Sequence, residues 1–246
     1  MRRRMGDHMA DAYKAAMAKA AQDYADAVAK AAELDEASVD AGPVPEAKPS
    51  GPEQDHPGFN AAAFFDVIRA GLFGGSLSQG QVDGHNIIGN VCSVAGLDPV
   101  LEQSAYILAT VYHETARTMQ PIEEYGGWNA RYAPWFGRGY VQLTWEENYQ
   151  RQQNKLHAIE QVHIYKIPYQ VHDDWNLALV PGTSALITVG GMRDGDFTGK
   201  RLSDYIKPGS VDYVNARRIV NGTDRAEQIA GYAREYERAL IAGMDG

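Results

Sequence analysis

One stretch of the sequence decides the fold, residues 98–117, which read DPVLEQSAYILATVYHETAR. Asp98 and Pro99 are typical of a helix start, because an acidic N-cap accepts a backbone N–H and proline suits the first helical turn. The apolar residues that follow recur at helical spacing as far as about Ala116. We therefore predict an apolar helix that carries Glu114 close to its end.

Further helices are predicted on both sides of this stretch. Apolar residues recur at helical spacing in several segments, and few segments alternate with the period of two that marks a strand. The best strand candidate is residues 140–144, YVQLT. The remaining predicted helices are residues 64–72, ended by Gly74 and Gly75, a helix opened by Pro181, and residues 226–242. The fold class expected for residues 59–246 is therefore a single, mainly α domain.

The N-terminal part has a different composition. Residues 1–40 are rich in alanine, and their larger apolar residues form one stripe, which predicts an amphipathic helix. That helix is either a solvated helix or one that docks on a virion or on a second copy. Residues 41–58 are dense in proline and predict a linker. Charged residues interrupt every apolar run near the N-terminus, so no signal peptide is expected.

Composition excludes several classes of protein. The 246 residues include 23 Lys and Arg against 32 Asp and Glu, a net charge of -9, which argues against nucleic acid as a partner. Cys92 is the only cysteine, and the seven histidines have no metal-ligand spacing, so neither a disulfide framework nor a metal site is expected. No apolar run is long enough to predict an integral membrane segment.

The first candidate for chemistry is the sequence HETAR at residues 113–117. A zinc protease helix requires a second histidine where Arg117 stands, so this motif predicts no metal site. Glu114 lies instead near the end of an apolar helix. Partial burial favours the protonated form of a carboxyl group, which a general acid requires. An exposed glutamate at a helix end is the alternative interpretation.

A second carboxyl group follows soon after the predicted helix. Pro121 and the glycines at 126 and 127 predict a loop that folds back, so Glu123 or Glu124 could face Glu114. Two carboxyl groups on opposite sides of a glycosidic bond are the machinery of glycoside hydrolysis. The alternative is that both are ordinary loop acids.

Two polar motifs follow further along the chain. Residues 137–145, GRGYVQLTW, combine glycines with side chains that suit sugar hydroxyls or a catalytic water. Residues 220–222, VNG, are first of all a turn signal, and Asn221 could also bind a sugar. The candidate binding residues are Arg138, Tyr140, Gln142, Thr144, Trp145, Asn148 and Asn221.

Taken together, these motifs resemble the family 19 glycoside hydrolases, a group of chitinases and phage endolysins. The resemblance covers roughly residues 60–242 and is greatest to the endolysin branch. It implies a lysozyme-like α-helical domain with a small β-hairpin, and it implies no cofactor. The motifs that carry it, in order, are HET at 113–115, the loop at 120–126, GRGYVQLT at 137–144, GMRDGDFTG at 191–199 and VNG at 220–222.

The resemblance also implies roles. Glu114 is the expected general acid, and the general base is expected at Glu123 or Glu124. We favour Glu124, because its Glu-Tyr-Gly step resembles the fixed part of this loop in the endolysin branch. Thr144 would hold the attacking water. Gln142, Asn148 and Asn221 are expected to bind sugar, and so are Arg138, Tyr140 and Trp145.

The implied activity is hydrolysis of the β-1,4 bonds of peptidoglycan with inversion. The short loop before residue 137 and the absence of disulfides differ from plant chitinases and favour peptidoglycan over chitin. Chitinase, lytic transglycosylase and a virion structural or wall-binding protein are the alternatives. Such an enzyme would be made in the host cytoplasm and would reach the wall through a holin-type pore or as part of a virion.

Overall fold

A computed structural model describes residues 59–97, 100–159, 162 and 166–244. The predicted N-terminal helix and linker, residues 1–58, and the predicted Asp98-Pro99 helix start lie outside the described residues. The described part contains seven α-helices: α1 (Ala61–Gly71), α2 (Gln79–Val94), α3 (Leu101–Glu114), α4 (Glu146–His157), α5 (Pro181–Asp194), α6 (Leu202–Tyr205) and α7 (Ala226–Met244). It also contains four short strands: β1 (Ile122–Glu123), β2 (Arg138–Gly139), β3 (Ile206–Lys207) and β4 (Ser210–Val211). The prediction of a mainly α fold is confirmed.

The main core is built around α3. Nearly all of its side chains from Gln103 to Tyr112 are buried, and the helix packs against α7, which in turn packs against α1. Burial on all sides is what a helix with an almost continuous apolar sequence requires. The helix ends at Glu114, two residues earlier than predicted, because Ala116 and Arg117 have positive φ angles of 49° and 70° that a helix cannot include.

A smaller apolar cluster lies beneath the polar motifs. Leu143, Tyr149 and Leu156 pack there with residues of α5 and of the short 3₁₀ helix Trp175–Leu179. The cluster fixes the start of α4 and the segment before it. It therefore supports the part of the chain that carries the predicted binding residues.

The strands form two separate hairpins of two strands each. In the first, β1 pairs antiparallel with β2, so that Ile122 faces Gly139 and Glu123 faces Arg138. In the second, β3 pairs antiparallel with β4. The first of these hairpins lies between Ile122 and Gly139.

The strand predicted at residues 140–144 is wrong. The strand residues are Arg138 and Gly139, and the chain then turns back so that Arg138 and Leu143 exchange backbone hydrogen bonds of 3.2 and 2.8 Å. Positive φ angles at Gly139 (88°) and Gln142 (55°) form this turn, and they are incompatible with an extended strand. The alternation of polar and apolar residues therefore arose from a tight turn.

Helices α2 and α4 were not predicted from the sequence. Helix α2 begins at a capping box, in which Ser78 and Gln81 exchange side-chain to backbone hydrogen bonds. Glycines interrupt its apolar pattern, and α4 is mostly polar, so neither shows a clear helical stripe. Tertiary packing stabilises both, a contribution that a local pattern does not contain.

Candidate active site

A cleft of about 260 Å³ brings together most of the predicted site residues. Its walls come from the end of α3, the turn after β2, the start of α4, the segment after α5 and the turn before α7. The residues that line it are Glu114, Val141, Gln142, Leu143, Thr144, Trp145, Asn148, Phe197, Val220 and Asn221. Six of the ten predicted site residues therefore share one surface: Glu114, Gln142, Thr144, Trp145, Asn148 and Asn221.

Glu114 enters the cleft from the last position of α3. Its side chain is only 18% exposed, and its Oε1 accepts a hydrogen bond of 2.6 Å from Nη1 of Arg217. The Arg217 side chain is 3% exposed, and its Nε donates to the backbone oxygen of Asp224. A guanidinium that is itself fixed on two sides holds the Glu114 carboxyl group in one orientation.

His113 precedes Glu114 and is half-buried. Burial lowers the pKa of the His113 imidazole, and the positive charges of Arg217 and Arg225 lower it further, whereas the Glu114 and Asp224 carboxylates oppose the shift. The imidazole is therefore neutral near pH 7. It places no additional positive charge beside Glu114.

Glu123 and Glu124 are neighbours, yet their carboxyl groups are bound differently. Oε2 of Glu123 accepts a bond of 3.1 Å from Nε of the buried Arg138. Glu124 accepts 2.9 Å bonds on both oxygens, from the Tyr132 hydroxyl and from the backbone N–H of Gly137. Glu123 therefore serves as the counter-charge of a buried arginine, whereas Glu124 is held at the Gly137 backbone.

Glu124 does not line the cleft, but it is adjacent to a residue that does. A Cβ atom on Gly137 would lie 3.3 Å from Oε2 of Glu124 and 2.7 Å from Oε1 of Gln142. Gly137 therefore packs against both side chains. The absence of a side chain at this position lets the Glu124 carboxyl group and the Gln142 amide approach each other across the backbone.

Gln142, Thr144 and Asn148 form a connected polar wall. The Gln142 amide donates to the backbone oxygens of Ile122 (3.1 Å) and Gly139 (3.3 Å). The Thr144 hydroxyl donates to the Gln142 carbonyl at 2.8 Å, and the Asn148 amide donates to the Thr144 carbonyl at 2.8 Å. The Thr144 oxygen keeps lone pairs that can accept a bond from a water molecule.

Asn221 and Trp145 lie at more exposed edges of the cleft. Asn221 is exposed, and its Oδ1 accepts a bond of 2.8 Å from the N–H of Gly222, so the predicted turn holds the side chain. Trp145 is 42% exposed. Its indole offers the kind of flat surface on which a sugar ring can stack.

Arg138 and Tyr140 do not contact the cleft, and the prediction that they bind sugar requires a correction. Both side chains are 0% exposed. The Arg138 guanidinium lies 3.8 Å from the centre of the Phe136 ring and donates to the backbone oxygen of Pro134. The sequence predicted the stretch that reaches the cleft, but both of these side chains are buried: Arg138 lies beneath β2, and Tyr140, in the turn after it, packs in the main core.

Three important residues had no role in the sequence prediction. Arg217 binds Glu114, Tyr132 binds Glu124, and Phe197 lines the cleft. Phe197 stands within the motif at 191–199, which gave a signal for it. Arg217 and Tyr132 showed none, because both lie outside the motifs and only the folded chain brings them to Glu114 and Glu124.

The described residues contain no group of three or more His, Cys, Asp and Glu arranged to hold a metal ion. Over the same ranges, no helix is both long and apolar enough to span a bilayer. Comparison of the whole chain with models of known protein families, with curated proteins and with solved structures finds no match. The geometry of the cleft is therefore the main guide to function.

Proposed function

We propose that this chain is an endolysin-type hydrolase that cleaves β-1,4 glycosidic bonds of bacterial peptidoglycan with inversion. One observation carries the proposal. Residues that the sequence selected for this chemistry in three separate segments line a single cleft: Glu114, then Gln142, Thr144 and Asn148, and then Asn221. Segments chosen for unrelated structural reasons would have no cause to meet at one surface.

Each residue has a role in the proposed reaction. Glu114 protonates the glycosidic oxygen, and Arg217 orients it. Glu124 removes a proton from a water molecule on the opposite face of the sugar, while Thr144 positions that water. Inversion requires about 6.5–9.5 Å between the two carboxyl groups so that the water fits between them. Gln142, Asn148, Asn221 and Trp145 bind the sugars on either side of the bond.

The structure supports Glu124 over Glu123 as the base. Both Glu124 oxygens are held by fixed donors beside Gln142, whereas Glu123 neutralises the buried Arg138. Glu124 lies beside Gln142, which lines the cleft, and its oxygens keep lone pairs that can accept a proton from water. Glu123 contacts Arg138, which does not line the cleft. The phage origin, the lytic role and the delivery through a pore or on a virion are parts of the same proposal.

The first test is digestion of purified peptidoglycan, with the products identified by mass spectrometry. We expect wild type to release fragments with new reducing ends, and Glu114→Gln to be about 10²–10⁴-fold slower, the usual contribution of a general acid. Glu102→Gln is the matched control, since it makes the same change in the first turn of the same helix. Anhydro-sugar products would instead identify a transglycosylase.

Binding to the wall separates catalysis from attachment. Glu114→Gln should still bind insoluble peptidoglycan, because the remaining cleft residues are unchanged. Digestion at the wild-type rate by this variant would refute the assignment of Glu114. Failure of wild type to cut peptidoglycan, together with cleavage of N-acetylglucosamine oligomers, would make the chain a chitinase. Wall binding without any cleavage would support a structural protein.

A further inference from the structure

Three residues form a cluster at the edge of the cleft, which we call the rim cluster: Arg131, Tyr132 and Trp145. The guanidinium carbon of Arg131 lies over the Trp145 ring, 5.2 Å from its centre. The Tyr132 ring packs on the same indole at 5.0 Å between ring centres, and its hydroxyl binds Glu124. The rim cluster therefore joins the wall of the cleft to the proposed base.

The charge of Arg131 has no counter-ion among the described residues, since no described carboxylate oxygen lies within 4.0 Å of it. Three other arginines of this part of the chain do have one. Arg138 pairs with Glu123, Arg217 with Glu114 and Arg193 with Asp194. Arg131 is exposed and rests instead on an aromatic face, which restricts the side chain without neutralising it.

We infer that Arg131 binds a carboxylate carried by the glycan, and that this contact makes the enzyme selective for acidic glycans over neutral ones. The inference rests on the proposed function. A guanidinium presents paired donors that match the two oxygens of a carboxylate. Peptidoglycan carries such groups on its peptides and, where the peptide has been removed, on the lactyl ether of its muramic acid. Chitin carries none.

The rim cluster links the charge of Arg131 to the proposed base, Glu124. Arg131 contacts Trp145, which lines the cleft, and Trp145 contacts Tyr132, which holds Glu124. A carboxylate bound at Arg131 would thus lie next to the Trp145 indole, which is proposed to contact the sugar. The expected effect is modest, because an exposed ion pair contributes up to about 1 kcal/mol, or roughly five-fold in affinity.

The test compares peptidoglycan with the same material after its carboxylates have been converted to amides. The measured quantity is the ratio of kcat/KM on native substrate to kcat/KM on amidated substrate. We expect roughly five for wild type and close to one for Arg131→Gln, because the variant has no charge to pair. Arg131→Lys keeps the charge but loses the paired donors, so it should keep part of the ratio. A ratio corrects for any general loss of activity caused by disturbing Trp145.

Arg117→Gln is the matched control. Arg117 is also exposed and also lies over an aromatic ring, that of Tyr112 at 5.7 Å, but neither residue lines the cleft. This variant should keep the wild-type ratio, although it makes the same change in net charge. If Arg117→Gln lowers the ratio as much as Arg131→Gln, the effect is one of overall charge and the inference is overturned.

Two further outcomes are informative. Peptidoglycan stripped of its peptides distinguishes the sources of the carboxylate: a ratio kept on this substrate identifies the lactyl group, and a lost ratio identifies the peptide. Equal ratios for wild type and Arg131→Gln would overturn the inference while leaving the proposed hydrolase intact. No cleavage of either substrate by wild type would overturn the proposed function itself.

Discussion

The two proposed catalytic carboxyl groups lie in regions that are built in different ways. Glu114 ends α3, which is buried within the helical core of α1, α3 and α7, and a buried arginine fixes it. Glu124 lies in the loop region, residues 115–145, where the strands are two residues long and where a hydroxyl and one backbone N–H hold the side chain. Apolar packing positions the acid, whereas individual hydrogen bonds position the base.

Two glutamates of one protein can therefore be positioned by different interactions, one by the packing of a helix and the other by single hydrogen bonds. A helix in a packed core has few alternative arrangements, because its neighbours fill the space around it. A loop held by hydrogen bonds depends on each donor separately. Loss of one donor in the loop region should therefore misplace the side chain that this donor holds, whereas a change in the packing of the helical core should lower stability.

The sharpest test of this comparison replaces Glu124 and its neighbour Glu123 one at a time. We expect Glu124→Gln to lower kcat by about 10²–10⁴-fold, because the amide cannot accept the proton of the attacking water. Its unfolding free energy should change little, since Gln keeps the shape and one acceptor oxygen. Glycan hydrolysis and urea unfolding measure the two quantities.

Glu123→Gln is the matched variant and should show the opposite pattern. It removes the counter-charge of the buried Arg138, which costs about 1 kcal/mol of stability, a value reduced because Glu123 is 39% exposed. Its kcat should fall by less than about ten-fold, which is below the roughly 10²-fold loss that marks the smallest usual contribution of an acid or base. If Glu123→Gln were instead the inactive variant, Glu123 would be the base and the assignment from geometry would be wrong.

A second prediction concerns the contact between the loop region and α2, where Gly84 meets the backbone of Met119. Gly84 of α2 is buried, and a Cβ atom there would lie 2.0 Å from the backbone oxygen of Met119, where the loop region begins to fold back. Gly84→Ala must therefore displace the loop backbone. We expect a loss of about 3 kcal/mol in urea unfolding, at the upper end of overpacking effects.

Gly89→Ala is the control for this effect. Gly89 lies on the same helix, is exposed, and has no atom within 4 Å of the position a Cβ would occupy. Alanine favours helix over glycine by up to about 1 kcal/mol, so this variant should be more stable than wild type. If Gly84→Ala were no less stable than Gly89→Ala, the close approach to the Met119 backbone would not limit residue size at position 84.

The third prediction tests the helical core by pH. His85 is buried among the rings of Phe64, Phe65 and Phe73, its Nδ1 lies 2.6 Å from the Gln81 carbonyl, and its Nε2 lies 2.9 Å from the Tyr236 hydroxyl. Burial lowers the pKa of His85 to about 4, partly opposed by the bond to Gln81. The imidazole is therefore neutral in the folded protein at pH 7.

The sign of the pH dependence follows from the pKa difference. Between the unfolded pKa of about 6.5 and the folded pKa of about 4, the unfolded chain binds one more proton, so stability falls as pH falls. We expect a loss of about 2 kcal/mol between pH 7 and pH 5 from this histidine. In urea unfolding, His85→Gln should no longer show this loss of stability between pH 7 and pH 5. His157→Gln, which changes an exposed histidine, should still show it. An unchanged slope in His85→Gln would show that the core histidine does not control the acid sensitivity.

Much of the helical framework was predictable, because its signals are local. Pro181 begins α5 and Ala226 begins α7, both as the sequence indicated. Helix α3 was recognised from its apolar run. In contrast, the strand expected at residues 140–144 is a turn, because positive φ angles at Gly139 and Gln142 override the alternation of side chains. Helix α4 was missed because its sequence is mostly polar and its support comes from the smaller apolar cluster.

The site residues were likewise predicted in part. Glu114, Gln142, Thr144, Asn148 and Asn221 were selected from motifs, and all five line the cleft. Arg138 and Tyr140 were selected with them, but both side chains are buried. A motif identifies a stretch of chain. Which side chains of that stretch face outward depends on the turn geometry, which the motif does not show.

The sequence by itself determined the approximate positions of α1, α3, α5 and α7, the Ala-rich and proline-rich composition of its first 58 residues, and the short motifs that suggest glycan hydrolysis. Only the tertiary structure decided that Arg217 binds Glu114, a contact between residues 103 positions apart, and that Tyr132 and Gly137 hold Glu124 while Glu123 pairs with Arg138. The physical reason is the range of the interactions. Helix formation depends on residues three or four apart, whereas the orientation of a carboxyl group depends on whichever donors the folded chain brings within 3 Å of it.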